Sequence, residues 1–277
     1  MATQLCVAVF STEANNRAQY TIKTLRGLID TVNFNKHRLV ICDNASCNEI
    51  QAFYIDFMKL FEALFPIENL VIICSPSNDG TSVAINKCLK RLPDGYFPIK
   101  IDDDVMIHQK GWVEEMEECF VRQPKLGILG LKRVDLEQSP NNTNPHYKTE
   151  LVELPRKKGQ SWLTVEVSDD IIGTCTMFNP MLFKKIGYMF QDGLYAFDDN
   201  DYAQRSLLSG FANAFLPHIK ISHLDTGVLE GGEKTDFIIW KQQIAGEKMQ
   251  GYANRVLEYK SGKRSLYYNP FTDNENI

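Results

Sequence analysis

The sequence predicts an α/β fold with a mostly parallel central sheet, helices on both faces and a helical extension at the C-terminus. Three observations predict this fold. The early apolar runs are short and nearly continuous, as strands covered on both faces are. Helical patterns separate these runs, and polar segments follow them. At 277 residues, with 44% hydrophobic and 23% charged residues, the chain is long enough to form a substantial core.

Four β-type runs alternate with amphipathic stripes in the first 105 residues. The stripes place apolar residues three or four positions apart, as in Ile22–Val32, Ile50–Leu64 and Val83–Leu92. Strands that alternate with helices in this way are typical of a doubly wound sheet. The predicted strands are Leu5–Phe10, Arg38–Cys42, Leu70–Cys74 and Phe97–Ile101.

The second half of the chain has weaker periodicity. Residues 132–162 carry prolines, asparagines and charges, which predicts a long loop, and such loops often serve function. Asn179-Pro180 predicts a helix start, because asparagine caps helices and proline fits their first position. The other predicted elements are a helix over Trp112–Phe120, a strand over Leu126–Leu131, strand segments at Val165–Val167 and Ile171–Ile172, and helices over 199–209 and Lys234–Tyr259.

Composition excludes several classes of protein. The net charge of -5 shows that the surface as a whole is not built to bind polyanions, so nucleic acid could bind only through local basic patches. The seven cysteines form no CxxC pair, which argues against zinc and thioredoxin-like sites and favours a reducing compartment. With neither a signal peptide nor a run of roughly 18 apolar residues, we expect a cytoplasmic protein without a membrane partner.

Polar segments follow all four early strands. Because the carboxyl ends of parallel strands meet at one edge of a sheet, these segments predict a ligand site there. The sequence lacks both the G-x-G-x-x-G fingerprint and the P-loop, so phosphate would have to be held through a cation. Carboxylate oxygens suit Mg²⁺ or Mn²⁺. The segments are Ser11–Glu13, Asp43–Ser46, Ser75–Gly80 and Asp102–Asp104.

These segments resemble the GT-A glycosyltransferases, closest to the inverting family 2 type, over roughly residues 4–225. The resemblance continues downstream of the DxD motif, with one departure: Asp198 stands where the family has Glu. The matching stretches are Phe10–Glu13, Cys42–Ser46, Asn78-Asp79-Gly80 with Ala84-Ile85-Asn86, Asp102–Asp104, Gly173–Thr176, Phe197–Asp201 with Arg205 and Gly210, and His223.

The resemblance implies a nucleotide-sugar donor and a site for Mn²⁺ or Mg²⁺. Asp104 would bind the ion directly, Asp102 would contact the ribose or the ion's water shell, and His223 would complete the metal site. Asp43 would bind the nucleobase. The full set of implied donor-binding residues is Ser11, Thr12, Glu13, Asp43, Asn44, Asn78, Gly80, Asn86, Asp102 and Asp103.

The resemblance also implies a base that deprotonates the acceptor hydroxyl. Asp199 is the expected base and Asp198 the second choice. Three carboxylates within four residues repel one another, which should raise the pKa of at least one of them. The implied acceptor-binding residues are Gly173, Thr174 and Asp201, and we add Arg156, Lys157 and Lys158 from the long loop.

We expect residues 1–225 to form the catalytic domain. Residues 1–105 would be its nucleotide-sugar half and 106–225 its acceptor half, while 226–277 would form a helical extension packed on the domain. The sequence does not indicate an oligomeric state.

The acceptor is the least determined part of the prediction. Basic residues interleaved with aromatics, as in Lys260–Tyr268, can bind phosphate backbones and bases. The small size resembles phage sugar transferases that modify hydroxymethylated bases in DNA, so DNA is our leading acceptor. The main rival is a bacterial saccharide or cell-surface polymer precursor.

Other classes of protein stay open at this stage. A nucleotidyltransferase also binds nucleoside phosphates at a sheet edge, but Ser11–Arg17 has no glycine and one basic residue. An inactive nucleotide-sugar-binding module would share the fold. Each motif also has a plain structural explanation: Asp102–Asp104 could be a solvated acidic turn, and Asp198–Asp201 an ordinary helix N-terminus.

Overall fold

The structure is a computed structural model that describes residues 1–13, 15–135, 150–190, 192–225, 227 and 233–271. The described strands are β1 Thr3–Val9, β2 Arg38–Asn44, β3 Leu70–Ser75, β4 Phe97–Ile101, β5 Val105–Ile107, β6 Leu126–Arg133, β7 Glu150–Glu153, β8 Thr164–Val167, β9 Cys175–Phe178 and β10 Ala212–His223. The described helices are α1 Ala18–Thr31, α2 Asn48–Leu64, α3 Thr81–Leu89, α4 Trp112–Arg122, α5 Pro180–Ile186, α6 Asp198–Leu208 and α7 Asp236–Lys260, with a 3₁₀ turn at Ile67–Asn69.

All the described strands belong to one sheet, in the order β3-β2-β1-β4-β9-β6-β10-β8-β7, with β5 paired to β10. Strands β1 to β4 are parallel neighbours, and β6 and β10 form a second parallel pair. Strand β9 is antiparallel to both β4 and β6, so these two parallel groups run in the same direction. The predicted mostly parallel α/β sheet is confirmed.

Helices cover both faces of the sheet. Leu5, Val7 and Val9 of β1 belong to a core that includes side chains of α1, α2 and α4. Cys6, between them, belongs to a second core with side chains of α3, α5 and α6. Because alternate residues of a strand point to opposite faces, both sets must be apolar. This explains why the early strands appear in the sequence as continuous apolar runs.

The structure corrects the sequence prediction in the second half of the chain. Ile171–Ile172 is not a strand; the strand is β9, which begins four residues after Ile171. Part of the predicted loop 132–162 forms β7, which is the last strand on one side of the sheet and whose residues are mostly exposed. Residues 136–149 of that loop lie outside the described residues.

Strand β10 has no counterpart in the sequence prediction. Its register against β6 shifts between Leu216 and Lys220, around Pro217. Proline has no N–H to donate to a strand neighbour, so it interrupts both the pairing and the alternating pattern. The strand then continues to His223, at the same sheet edge as the end of β4.

The C-terminal helix α7 is fastened to α6 through one buried carboxylate. Asp201 is fully buried and accepts hydrogen bonds from Arg205 Nε at 2.7 Å, Arg255 Nε at 2.8 Å and Tyr259 Oη at 3.1 Å. Arg255 and Tyr259 are the only two buried residues of α7.

The predicted boundary between residues 225 and 226 stays a prediction, since residue 226 lies outside the described residues. No helix in the described ranges combines the length and apolarity that a membrane crossing needs.

We predict that Asp201→Asn lowers the free energy of unfolding by about 3–5 kcal/mol, because it leaves buried guanidinium charge without its carboxylate. Urea unfolding followed by circular dichroism would measure this loss. Asp56→Asn is the control: that carboxylate is exposed, and its loss should change stability by no more than about 0.5 kcal/mol. Equal stability of the two variants would contradict the role given to Asp201.

Candidate active site

The three aspartates that follow β4 make different contacts. The backbone N–H of Asp102 donates to Thr174 O at 2.9 Å, which extends the pairing of β4 with the β9 side of the sheet. The Asp102 carboxylate lies 3.1 Å from Lys100 Nζ. Asp103 accepts from Thr21 Oγ1 of α1 at 2.9 Å and is buried, so its carboxylate faces the protein and not an open cleft.

Asp104 and His223 form the predicted metal pair. Asp104 Oδ2 lies 3.3 Å from His223 Nε2, and the Leu224 N–H donates to the Asp104 carbonyl at 2.7 Å. His223 Nδ1 is 2.6 Å from the Asp225 carbonyl, so it is the nitrogen that donates. The other ring nitrogen, Nε2, faces the Asp104 carboxylate. Among the described residues, Asp104 Oδ1 is buried without a hydrogen-bond partner.

The described residues alone do not complete a metal site. No three His, Cys, Asp or Glu side chains within the described ranges converge in a way that could hold an ion. Mg²⁺-like ions, however, are commonly held by one or two carboxylates together with substrate phosphates and water. Asp104 and His223 fit such an ion by their chemistry, because Asp104 keeps Oδ1 without a partner among the described residues and the His223 ring nitrogen Nε2 faces the same carboxylate.

Arg17 is a cation that contacts Asp104 in the structure. Its Nη2 lies 3.0 Å from Asp103 Oδ1 and 2.8 Å from Asp104 Oδ2, and its Nη1 contacts Asp225. Burial acts to lower the pKa of Arg17, but the three carboxylates outweigh it and the pKa is raised. Burial likewise acts to raise the pKa of Asp104, and Arg17 and His223 more than offset it, so that Asp104 stays ionised.

A second ionic cluster joins β4 to α6. Lys100 is buried near the C-terminal end of β4, with its side chain 3% exposed, and its Nζ donates to Gly173 O at 2.8 Å. The same Nζ lies 3.1 Å from Asp199 Oδ1 and 3.1 Å from Asp102 Oδ1. Asp102 and the predicted base, Asp199, therefore both contact the same positive charge.

Gly173 allows Asp199 to reach this position. A Cβ atom at residue 173 would lie 1.9–2.1 Å from the Asp199 carboxyl atoms, far closer than two such atoms can approach. A residue with a side chain would therefore displace the carboxylate. Gly173, which is predicted to contact the acceptor, thus also leaves space for the predicted base, Asp199.

The pKa of Asp199 is raised to about 7. Burial is the largest cause, and the nearby charges of Asp198 and Asp102 add to it, while Lys100 acts in the opposite direction. The Asp199 side chain is still 27% exposed, so it can contact a ligand. Asp198 is buried and accepts from Ser82 Oγ at 3.0 Å, which leaves Asp199 the more accessible of the two.

The turn that precedes α6 has an unusual backbone. Ala196 and Phe197 adopt φ angles of 95° and 61°, a region that residues other than glycine rarely enter. The Phe197 ring stacks on Tyr252 of α7 at 4.7 Å with an interplanar angle of 5°. Packing against α7 thus stabilises the turn from which Asp198 and Asp199 extend.

Several predicted donor-binding residues are engaged within the protein. Asp43 is fully buried and accepts from Ser46 N at 2.7 Å and Tyr54 Oη at 2.9 Å. The Asn86 amide is committed at both ends to the Met189 backbone. The structure therefore does not bring Asp43 or Asn86 to an open surface, and their contact with the donor stays a prediction.

The other predicted donor residues shape the loops at the sheet edge. Thr12 and Asn15 exchange hydrogen bonds that close the turn after β1, and Glu13 in this turn is exposed. Asn78 Oδ1 accepts from Gly80 N at 3.1 Å, and Gly80 O accepts from Asn44 Nδ2 at 3.3 Å. Two of these predicted donor residues, Ser11 and Asn44, each have a buried side-chain oxygen without a partner among the described residues, Ser11 Oγ and Asn44 Oδ1.

The predicted acceptor residues do not gather in one place. Thr174 is next to Gly173 and pairs with Asp102, but Asp201 is fully buried in the α6–α7 contact and cannot touch a ligand there. Arg156, Lys157 and Lys158 are exposed. Arg156 lies over Trp162 of its own loop at 3.5 Å. That loop is fastened to α4 through Gln160 and Ser161 and not to Asp104 or Asp199.

Sequence reasoning missed three cations of the site. Lys100 had a visible signal, because a lysine within a fully buried strand needs nearby carboxylates. Arg17 had a weaker one, as the single basic residue of the loop after β1. Lys241 had none: α7 brings it near Asp104, Asp102 and Asp225, over the rings of Phe237 and Tyr195.

Comparisons with known proteins show which fold this is. No family model matches the chain, and neither does any curated protein. The mannosyltransferase PcManGT from Pyrobaculum calidifontis, solved with GDP-Man and Mn²⁺, is a similar structure: the TM-score is 0.58 at 14% identity, over 80% of this chain and 56% of that one.

Two further structures agree. S. aureus TarS 1-349 with UDP-GlcNAc matches with a TM-score of 0.57 at 15% identity, over 83% of this chain and 62% of that one. GalNAc-T7 with UDP, GalNAc and Mn²⁺ matches with a TM-score of 0.56 at 13% identity, over 80% and 43%. The chain thus spans less than two thirds of the length of each, and it has the GT-A fold of these glycosyltransferases.

We predict that Lys100→Met raises the pKa of Asp199 above its value of about 7, because the nearest positive charge is lost while burial and the neighbouring carboxylates remain. Carboxyl ¹³C NMR titration of Asp199 would measure the shift. Lys59→Met, which removes an exposed lysine on α2, is the control and should leave the titration unchanged. An equal or lower pKa in Lys100→Met would contradict the assignment.

Proposed function

We propose that the chain is a metal-dependent glycosyltransferase that moves a sugar from a nucleoside-diphosphate sugar to an acceptor hydroxyl with inversion. One observation carries the proposal. The Asp104–His223 pair and the Asp199 carboxylate lie at the same sheet edge, linked through Asp102 and Lys100. A cation site beside a carboxylate whose pKa is about 7 suits a reaction in which an anionic group leaves and a hydroxyl group gives up its proton to a base.

The donor half would be organised by Asp104 and His223. They would hold Mn²⁺ or Mg²⁺ against the diphosphate, and the ion would stabilise the charge of the departing nucleotide as a Lewis acid. Asp102 would contact the ribose or the water around the ion. The ligands of the similar structures support this donor class, since they include GDP-Man, UDP-GlcNAc and Mn²⁺.

The acceptor half would be organised by Asp199. As the base, it would accept the proton of the acceptor hydroxyl while that oxygen attacks the anomeric carbon from the face opposite the nucleotide. Such a direct displacement inverts the configuration. Lys100 would position this carboxylate through its contacts with Asp102 and the Gly173 carbonyl, and would moderate its pKa. The Gly173–Thr174 segment would line the acceptor side.

We predict that Asp199→Asn keeps donor binding but lowers turnover about 10²–10⁴-fold, the range for loss of a general base. In the wild type, the rate should rise about tenfold per pH unit below about 7 and level off above it, because the base acts ionised and its pKa is about 7. Release of nucleoside diphosphate from a panel of nucleotide sugars with Mn²⁺ would measure both.

Asp170→Asn is the matched control. It removes the charge of a nearby carboxylate, which accepts a hydrogen bond from Asn200 in the same helix as Asp199. Full activity of Asp199→Asn would refute the base. Binding of nucleotide sugars without turnover of any donor would instead favour an inactive binding module, and release of pyrophosphate from a nucleoside triphosphate would favour a nucleotidyltransferase.

For the acceptor, we propose DNA that carries hydroxymethylated bases. The support is the exposure of Arg156, Lys157 and Lys158, whose charges could contact phosphates, and the stacking of Arg156 on Trp162. The rival, a bacterial saccharide or cell-surface polymer precursor, needs no such charges.

We predict that duplex DNA binds the chain with an affinity that falls steeply as salt rises, because each neutralised phosphate releases counterions. A gel shift across a salt series would measure it. Replacement of Arg156, Lys157 and Lys158 by Gln should weaken binding, whereas replacement of the exposed Lys59 should not. Absence of salt-dependent binding would reject DNA and favour the saccharide acceptor.

A further inference from the structure

One guanidinium lies against three carboxylates at the predicted metal site. Arg17 Nη2 contacts both Asp103 and Asp104, at 3.0 and 2.8 Å, and Nη1 contacts Asp225. The Arg17 side chain is only 8% exposed. Its contact with Asp104 uses Oδ2, which is also the atom 3.3 Å from His223 Nε2. The arginine therefore neutralises the same oxygen that a divalent ion between Asp104 and His223 would contact.

We propose that Arg17 is the resting counter-ion of the metal site: it competes with a divalent ion for Asp104 and gives way when ion and diphosphate bind together. The inference rests on the proposed function in one respect, since it takes Asp104 and His223 as the metal ligands. It assigns to Arg17, at the N-cap of α1, an effect on ion binding that the transfer reaction itself does not require.

The charges around Arg17 favour such an exchange. One positive guanidinium faces three negative carboxylates, so the cluster can accept further positive charge. Asp104 Oδ1 is buried and has no hydrogen-bond partner among the described residues, and His223 Nε2 faces the same carboxylate. Both are donor atoms suited to a divalent ion.

Arg17 can leave Asp104 without losing all its partners. Its contacts with Asp103 and Asp225 would remain, and the guanidinium also lies 5.0 Å from the centre of the Phe237 ring. A displaced guanidinium would stay beside the ion, where its planar fork matches the oxygens of a phosphate. A diphosphate would thus supply both the missing ligands of the ion and a new partner for Arg17.

This arrangement couples the binding of the divalent ion to the binding of the nucleotide. In the nucleotide-free protein the ion must displace Arg17 without compensation, and with nucleotide present the displaced charge gains a phosphate. Each ligand then strengthens the binding of the other, as linkage requires. Lys241 adds to the effect, since it lies near Asp104 and Asp225 and also repels an incoming cation.

Mn²⁺ binding to the full chain, followed by electron paramagnetic resonance of free Mn²⁺, tests the proposal without any turnover. We expect Arg17→Gln to bind Mn²⁺ about tenfold more tightly than the wild type in the absence of nucleotide, because a competing charge is removed. Arg26→Gln removes an exposed arginine from the same helix and should leave the affinity unchanged. Addition of UDP should tighten Mn²⁺ binding more in the wild type than in Arg17→Gln.

A folded Arg17→Gln protein with unchanged or weaker Mn²⁺ affinity would overturn the proposal. If Arg17→Gln does not fold, Arg17→Lys replaces it. A lysine keeps the charge but lacks the two separate nitrogens with which Arg17 contacts Asp104 and Asp225, so Mn²⁺ should bind about threefold more tightly. Wild-type affinity in that variant would overturn the proposal. Failure of every variant to bind Mn²⁺, even with UDP, would instead reject the metal site of the proposed function.

Discussion

The candidate site depends on the burial of one positive charge, that of Lys100. A lysine inside a fully covered strand costs several kcal/mol unless carboxylates compensate it. Burial acts to lower the pKa of Lys100, and Asp102, Asp199 and Asp198 overcome it and raise that pKa. The same attraction holds Asp199 against the sheet edge, over a residue without a side chain. The contact between Lys100 and Asp199 therefore does two things: it compensates the buried charge of the lysine, and it holds the proposed base in position.

The rest of the site follows from how the two ends of the chain meet. Strand β10 carries His223 to the edge where β4 ends, and Asp225 then reaches Arg17, which precedes α1. Helix α7 packs behind α6 through Asp201 and stacks Tyr252 on Phe197. The C-terminal helix thus supports the turn that presents Asp199, and it also brings Lys241 beside the predicted metal ligands.

Sequence patterns predicted a site at the carboxyl ends of the strands, but they did not predict which partners each of its residues would have. The position of Asp104 at the carboxyl ends of the strands follows from strand order, whereas Asp199 and His223 were expected there only from the family resemblance. Asp43, Asn86 and Asp201 fit the same motifs equally well, yet each one is committed to partners inside the protein. A motif records which residue types are present, and the hydrogen-bond partners that decide between a ligand contact and an internal one come from distant segments.

The sequence by itself determined the α/β class, the first four strands, and the order of the carboxylates that follow them, because hydrophobic periodicity and turn residues are local properties. Only the tertiary structure decided that β9 runs antiparallel to its neighbours, that β10 brings His223 beside Asp104, and that the carboxylates separate into one cluster around Lys100 and another around Arg17. The separation of the carboxylates depends on charges that are far apart in the chain, such as Arg17 with Asp225 and Lys100 with Asp199. Their energy arises from desolvation and pairing, which no local pattern contains.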